Sequence, residues 1–545
     1  MPEAPLLAIR DLSLSIGRLP ILQGVDLELD AGKVFGLGGE SGSGKSMTAL
    51  TAMRLTPAGT RATGSVKLAG REILNLSDDV MCHLRGNEIG MIFQEPMTAL
   101  NPMQTIGRQV AETIRIHTDK SRREARRIAR ETLDRVGLPA ERFPLDRYPH
   151  ELSGGQRQRV GIAIAIALKP KLLIADEPTT ALDVTTQAQI LDLLRRLVAE
   201  DGIGLMLITH DLAVVADMAD RVAVMEAGRV VESGDTLALF TAMQHPYTRR
   251  LFEASRHVPA RQTRKPAQGE VPLLKVENAV REYRRGGFFA RRAAPLRAVD
   301  GVSFSIFPGE NVGLVGESGC GKSTLARAVL GLETLQQGSV RLKNQLFATT
   351  ERLPAPEDRR AIQVVFQDPY GSFNPRHRVE RLVAEPLHLL KEKPGAAERK
   401  SRVARVLDAV GLPANAGERY IHEFSGGQRQ RLAIARALIV EPQLIVLDEA
   451  VSALDVSIRA QILDLLTDLS DRLSVSYLFI SHDLSVVRNI TDRVMVMRDG
   501  RIVEEGPTGE VFANPRHPYT SELLAATPLV DEALGRRRKA GAATE

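Results

Sequence analysis

Two octapeptides of this 545-residue chain, Gly39–Ser46 (GESGSGKS) and Gly316–Ser323 (GESGCGKS), share the spacing GxxxxGK[ST]. A loop of this spacing turns successive backbone N–H groups inward around phosphate oxygens, at the positive end of the helix that follows. Gly39, Ser41, Gly42 and Gly44 build it in the first copy, and Gly316, Ser318, Gly319 and Gly321 in the second. Lys45 and Lys322 place a positive charge on the β- and γ-phosphates. Ser46 and Ser323 offer a hydroxyl to the Mg²⁺ that bridges those phosphates. The chemistry is ATP binding, twice in one chain.

Each copy is followed by the same further residues in the same order. Asp176-Glu177 closes the apolar run KLLIA, and Asp448-Glu449 closes QLIVL. An acidic pair ending a buried strand lands beside the phosphate loop of an open parallel sheet. The first carboxylate suits the hydrated metal, and the second can orient and polarise an attacking water. Gln94 and Gln367 end the runs IGMIF and IQVVF, where a neutral amide can ligate Mg²⁺ or water. His210 and His482 follow LMLIT and YLFIS, placed to contact the γ-phosphate or the water. LSGGQRQR and FSGGQRQR carry an anion-binding helix start, with Ser153 and Ser425 as caps. Gly154, Gly155, Gly426 and Gly427 allow close backbone approach there.

These residues need strands and helices to position them, and the repeat sets the layout. A constant shift of 272 positions relates Ser153 to Ser425, Asp176 to Asp448, His210 to His482 and HPYT at 245–248 to HPYT at 517–520. Two copies of one domain are expected, at 1–255 and 272–531, with a linker at 256–271 and a disordered tail at 532–545. Alternation in LLAIRDLSLSI and ILQGVDLEL predicts an antiparallel β layer at the start of each half. Lys33–Leu37 and Asn311–Val315 read as buried strands feeding the phosphate loops, followed by helices over Ser46–Leu55 and Ser323–Leu332. Helix-rich basic sections are expected over Arg108–Val136 and Arg378–Val410, then strands LLIAD, LIVLD, LMLIT and YLFIS.

Composition bounds the rest. The net charge of +5 on 545 residues is nearly balanced, which gives nucleic-acid binding little support. Only Cys82 and Cys320 are present, too few for a multi-cysteine metal site. The opening MPEAPLLAIRDLS lacks a basic leader and apolar core, so no signal peptide is expected. No apolar run approaches the roughly 18 residues that span a bilayer.

Phosphate loop, strand-end Gln, LSGGQ, acidic pair, ALD and His, in that order, resemble the ATP-binding cassette (ABC) family along nearly the whole chain. The resemblance implies an α/β fold: two tandem nucleotide-binding domains, each a P-loop RecA-like core with an antiparallel β subdomain and an α-helical signature subdomain. In that family two cassettes sandwich ATP between the phosphate loop of one and the signature of the other. Carried over, Lys45, Ser46, Gln94, Asp176, Glu177 and His210 work with Ser425, Gly426 and Gly427. Lys322, Ser323, Gln367, Asp448, Glu449 and His482 work with Ser153, Gly154 and Gly155. Asp183 and Asp455 of the ALD segments link the sites. The implied roles are catalysis for Glu177, His210, Glu449 and His482, and metal binding for Ser46, Gln94, Asp176, Ser323, Gln367 and Asp448.

FQEPMTALNP, FQDPYGSFNPR and the HPYT closing each half narrow the resemblance to peptide/nickel-type importers, in the fused two-cassette form of peptide and glutathione systems. That implies an ATPase using ATP and Mg²⁺ to drive solute uptake, peripheral on the cytoplasmic face of the bacterial inner membrane. Its implied partners are two integral-membrane permeases and a solute-binding protein, with no nucleic acid and no obligatory homodimer. The segments after Gln94 and Gln367 receive a helix of the permeases. The alternative is a soluble fused ABC ATPase acting on ribosomes, which carries a long charged connector between cassettes where this chain has a short irregular stretch. Departures from the pattern are Ile16 where Tyr283 of the second half is matched to an adenine-stacking aromatic, Ile164 where the second half has Arg436, and Ala450 where the first has Pro178. Cys320 sits inside a phosphate loop, where a small side chain is tolerated.

Overall fold

The computed structural model describes residues 4–94, 99–180, 182–261, 263–283, 295–368, 371–452 and 454–542. The expected permease-binding segments fall partly outside that range, as do Ala181 and Ala453 of the ALD segments. Two compact units divide the chain. One comprises 1–256 with 455–457 and 528–545, the other 257–454 with 458–527.

In the first unit, Leu7–Ile16 and Leu19–Leu29 pair antiparallel and join Thr60–Leu68 and Arg71–Glu72 in a four-stranded layer. Leu7, Ile9, Leu12 and Leu14 are all buried along the first strand. A register shift between Ile9 and Leu12 absorbs the break in alternation at Arg10-Asp11. The second layer has six strands in the order Arg229–Asp235, Arg221–Glu226, Val34–Gly38, Gly204–Ile208, Leu172–Asp176, Ile89–Ile92. All its pairings are parallel except that of the outermost Arg229–Asp235. Val34–Gly38, Leu172–Asp176 and Gly204–Ile208 are buried at every position. That explains why they read as unbroken apolar runs instead of alternating ones.

The second unit repeats both layers. Its six-stranded sheet runs Ile362–Val365, Leu444–Asp448, Ser476–Ile480, Asn311–Val315, Arg493–Arg498, Arg501–Pro507. In both units the phosphate-loop strand, the Gln strand, the acidic strand and the His strand are parallel neighbours in one sheet. Their carboxyl ends therefore deliver all the candidate residues to one edge.

Three expectations need correction. The helices after the phosphate loops span Lys45–Ala52 and Lys322–Val329, about a turn shorter than read. Each stops where the chain turns left-handed, at Arg54 (φ 50°) and Gly331 (φ 62°). There Leu55 N–H bonds Leu50 O and Leu332 N–H bonds Arg327 O, the six-to-one closure of a helix end. The helix-rich basic section expected in the first unit is present as two helices, Ile106–His117 and Arg122–Arg135, divided where Ser121 and Glu124 form a capping box. In the second unit Pro386 cuts the matching helix to Val379–Ala384, and a 3₁₀ turn follows.

Of the stretch 256–271, read as a linker, all but Arg256 belongs to the second unit. Arg261 forms an ion pair with buried Asp492 at 2.9 Å, and Arg264 N–H donates to the same carboxylate at 3.0 Å. The tail, read as disordered, folds as a helix over Val530–Ala542. Val530, Ala533 and Leu534 share one helix face and enter the core of the first unit. Arg537 donates to Ala216 O at 2.6 Å and Asp217 O at 3.1 Å, so it caps the helix Leu212–Met218. The RRRK run masked this apolar spacing.

Truncation after Leu529 is accordingly expected to cost the first unit about 3–5 kcal/mol, from uncovering one Val and one Leu. A lowered urea midpoint for that unit is the measurement.

Candidate active sites

The N-terminal residue of each phosphate-loop helix is preceded by a glycine in the left-handed region, Gly44 at φ 104° and Gly321 at φ 112°. No side chain caps these helices, so their first N–H groups stay available to an anion. Lys45 Nζ donates to Gly39 O at 2.8 Å and Glu40 O at 2.7 Å. Lys322 Nζ donates to Gly316 O at 2.7 Å and Glu317 O at 2.8 Å. The loop carbonyls thus hold both ammonium groups over the loop. Burial lowers the pKa of Lys45, with Glu177, Asp455 and Asp176 opposing that effect.

Ser46 Oγ donates to Asp176 Oδ1 at 3.0 Å, which joins two expected metal ligands across the sheet edge. In the second unit Asp448 Oδ1 is buried without a hydrogen-bond partner. An orphaned buried carboxylate oxygen beside a serine hydroxyl fits a hard divalent cation such as Mg²⁺. Burial, reinforced by the neighbouring glutamate, raises the pKa of both aspartates. A bound cation reverses that shift.

Glu177 and Glu449 are both held in the left-handed region, at φ 46° and 51°. Their N–H groups bond the carbonyls of Ile208 and Ile480 in the adjacent His strand, at 2.9 Å each. Such strain persists only where surrounding contacts impose it, and it aims the side chain off the strand end. His210 Nδ1 lies 3.1 Å from Glu177 Oε1, and His482 Nδ1 lies 3.4 Å from Glu449 Oε1. The histidines therefore meet the glutamates directly.

Glu177 also accepts from Gln94 Nε2 at 2.8 Å and Thr180 Oγ1 at 2.9 Å. Burial works against its charge. The hydrogen bonds from His210 and Thr180 and the Lys45 charge outweigh burial and hold the carboxyl at about 2. For Glu449 the hydrogen bond from His482 is the largest influence, and the pKa is again lowered. The sequence reading missed Thr180. Its signal was a hydroxyl three residues after the glutamate in both halves, since Ser452 matches it. Ser452 turns instead to the Glu449 carbonyl at 2.8 Å.

Ser153 and Ser425 cap the signature helices Gly154–Ile166 and Gly426–Leu438, each in a reciprocal box with the Gln three residues on. A Cβ on Gly155 would sit 2.2 Å from Thr186 Cγ2, and one on Gly427 would sit 2.5 Å from Ile458 Cγ2. Among the described residues, no hydrogen bond joins a signature serine to the phosphate loop of its own unit. Asp183 caps the helix Val184–Asp201 through Thr186 N–H, whereas Asp455 Oδ1 accepts from Ser41 N–H at 2.6 Å within the first unit. Tyr283 ends its strand with the hydroxyl on Glu333 at 2.6 Å and Arg281 stacked 4.9 Å from its ring. Ile16 ends the matching strand partly exposed.

The Ile164/Arg436 departure has a structural counterpart. Arg436 donates to Ser372 O at 2.8 Å and Ser372 Oγ at 3.1 Å, pinning the segment after Gln367 to the signature helix. In the first unit Gln109 takes that part from another helix, bonding Asn101 and Gln104 backbone atoms at 2.9–3.0 Å. A cleft of about 750 Å³ opens beside the second site, lined by Ser323, Gln367, Asp448, Glu385, His388 and Arg436 among others.

The ABC transporter family model matches residues 22–180 and 299–452, which are the two stretches carrying phosphate loop, signature and acidic pair. The chain belongs to the ABC transporter family. A second model, the oligopeptide/dipeptide transporter C-terminal region, matches 231–294 and 503–545 of this ABC ATPase. It is 46% identical over 563 residues to the glutathione import ATP-binding protein GsiA of Escherichia coli K12, covering 96% of this chain and 90% of that protein. The GsiA of Salmonella typhimurium LT2 is also 46% identical, covering 99% and 93%. Among solved structures, cbiO1 of Clostridium perfringens, part of the cbiONQ ABC transporter complex, is similar at 28% identity with a TM-score of 0.39, covering 45% of this chain and 92% of that one. The two family models and the full-length relatives make the ABC ATPase a two-cassette transporter subunit, and nothing among them favours the ribosome-acting alternative. No helix among its described residues is long and apolar enough to cross a membrane.

Proposed function

We propose that this ABC ATPase powers import of a small peptide-like solute of the glutathione class, docked on two permeases at the cytoplasmic face of the inner membrane and fed by a solute-binding protein. The observation that carries the proposal is 46% identity, over nearly the full length, to proteins named for glutathione import. Support comes also from the peptide-transporter model matching after each cassette. ATP phosphates fit the uncapped helix starts at Lys45 and Lys322, and Tyr283 stacks on adenine in the second cassette. Ser46, Gln94 and Asp176, and Ser323, Gln367 and Asp448, hold Mg²⁺, which neutralises phosphate charge when bound. Glu177 and Glu449 orient and polarise the attacking water, and His210 and His482 steady those carboxylates and reach the γ-phosphate.

Each phosphate loop is completed by a signature turn, Ser425–Gly427 for the first and Ser153–Gly155 for the second. The support is chemical. Each unit's signature is a second anion-binding helix start that its own loop leaves unused.

Uptake of labelled glutathione by cells whose only such ATPase is this chain tests the cargo. Uptake that falls to background when Lys45 and Lys322 are both replaced by Ala is expected. Unchanged uptake in that variant overturns the proposal. A pair of double variants tests the completion of the sites. With Glu177→Gln already silencing site one, adding Ser425→Arg is expected to leave the remaining hydrolysis intact. Adding Ser153→Arg instead is expected to abolish it.

A further inference from the structure

Each cassette ends in His-Pro-Tyr-Thr, at His245–Thr248 and His517–Thr520, and the ATP chemistry above does not use it. The first two residues have local roles. His245 caps the helix Pro246–Ser255, with Nδ1 accepting from Tyr247 N–H at 3.3 Å and Pro246 in the first turn. His517 does the same for Pro518–Ala526, at 3.1 Å from Tyr519 N–H. The Glu232 carboxylate accepts from Gln244 N–H and His245 N–H at 2.8 and 3.2 Å. Glu504 accepts from Arg516 N–H and His517 N–H at 2.8 and 3.1 Å. Each helix start is thereby fixed to the outermost strand of its sheet.

The tyrosine reaches further. Tyr247 Oη accepts a hydrogen bond from Glu40 N–H at 3.1 Å, and Tyr519 Oη accepts one from Glu317 N–H at 2.9 Å. Glu40 and Glu317 are the second residues of the two phosphate loops. Their carbonyls are the acceptors of Lys45 Nζ and Lys322 Nζ, at 2.7 and 2.8 Å. One residue is therefore gripped on both sides, by a tyrosine at its N–H and by the phosphate lysine at its carbonyl. The rings are buried, 6% and 1% exposed, so the hydroxyls have little freedom to leave. The arrangement recurs in both units with the same atoms, the tyrosines 272 residues apart and their glutamate and lysine partners 277 apart.

We propose that Tyr247 and Tyr519 are positioning residues for ATP binding. Each hydroxyl fixes the second residue of its phosphate loop, and through that residue's carbonyl the place where the lysine ammonium meets the phosphates. The inference rests on the loops being ATP sites, and it gives the HPYT motif a role in nucleotide affinity.

Tyr→Phe tests it cleanly, because Phe fills the same buried space and deletes only the hydroxyl. In the full chain, Tyr247→Phe and Tyr519→Phe are each expected to weaken Mg-ATP binding at one site about fivefold to tenfold, the scale of one buried hydrogen bond. The double variant is expected to weaken both sites, raising KM with kcat changed less than about twofold and the unfolding midpoint nearly unmoved. A merely structural tyrosine lowers the midpoint and leaves KM alone, and that result overturns the proposal. So does a double variant with wild-type affinity at both sites. Wild-type chain that binds no ATP refutes the nucleotide sites themselves, a separable failure. Should the Phe chains not fold, hydrogen exchange on the wild type decides: protected Glu40 and Glu317 amides are expected, and free exchange overturns the proposal.

Discussion

Glu177→Gln and Glu449→Gln, introduced together, are expected to cut ATP hydrolysis by about 10² to 10³-fold while ATP binding persists. A positioned carboxylate acting on the attacking water contributes on that scale. The amide keeps shape and volume and removes the charge. Both glutamates are aimed off their strand by a left-handed backbone and a hydrogen bond to the neighbouring His strand. Each single variant reports one site, and hydrolysis unchanged by either replacement marks that site as silent.

The two sites are expected to respond unequally. Glu177 is fixed by His210, Gln94 and Thr180, so a Gln there keeps several partners. Glu449 depends chiefly on His482 at 3.4 Å, and its replacement leaves less order behind. The pKa of Glu177 adds a sign. A carboxyl held at about 2 is ionised throughout the neutral range. It is a weak base, better suited to orienting and polarising water than to full proton abstraction. Turnover at the first site, isolated by Glu449→Gln, is therefore expected to show no step from Glu177 until the pH falls towards about 2, measured as a pH–rate profile of that variant.

The repeat made the site legible. Residues that mean little singly became informative because each recurs in the same order behind its own phosphate loop. Strand-end placement followed from short apolar runs ending in Gln, Asp-Glu, Thr-His or Ser-His, and the parallel sheet delivers those ends to one edge. Contacts that are not periodic were not legible. Thr180 on Glu177, Gln109 on Asn101 and Arg436 on Ser372 depend on where separate segments meet, and no spacing rule encodes that. The last helix was hidden for another reason. Its charge run dominates composition, while three apolar residues on one face decide its burial. The HPYT tyrosines were visible as a motif and opaque in role, since the partner of each lies about two hundred residues upstream.

Gly316→Ala is expected to remove ATP binding from the second cassette almost entirely. Gly316 adopts φ 151°, and a Cβ there would sit 2.2 Å from Met497 O and 2.9 Å from Cys320 Sγ. Met497 lies in a buried strand hydrogen-bonded on both sides, so that carbonyl cannot retreat. The loop itself must move, which displaces the Gly316 carbonyl that anchors Lys322 Nζ at 2.7 Å. The strained backbone alone costs about 1–3 kcal/mol, and a displaced lysine and misaligned amides add to it. Loss of affinity at that site of 100-fold or more follows, since each 1.4 kcal/mol is about tenfold. Gly39→Ala meets Met225 O at 2.4 Å and should act alike on the first cassette. Gly319→Ala is the discriminating control. It shares a left-handed φ of 84°, yet its Cβ meets nothing within 4 Å, so only the backbone preference is lost. Calorimetric titration with Mg-ATP is expected to give two sites in the wild type, one in Gly316→Ala and two, weakened at one site, in Gly319→Ala. Two full-affinity sites in Gly316→Ala would show that the loop binds phosphate without the geometry described.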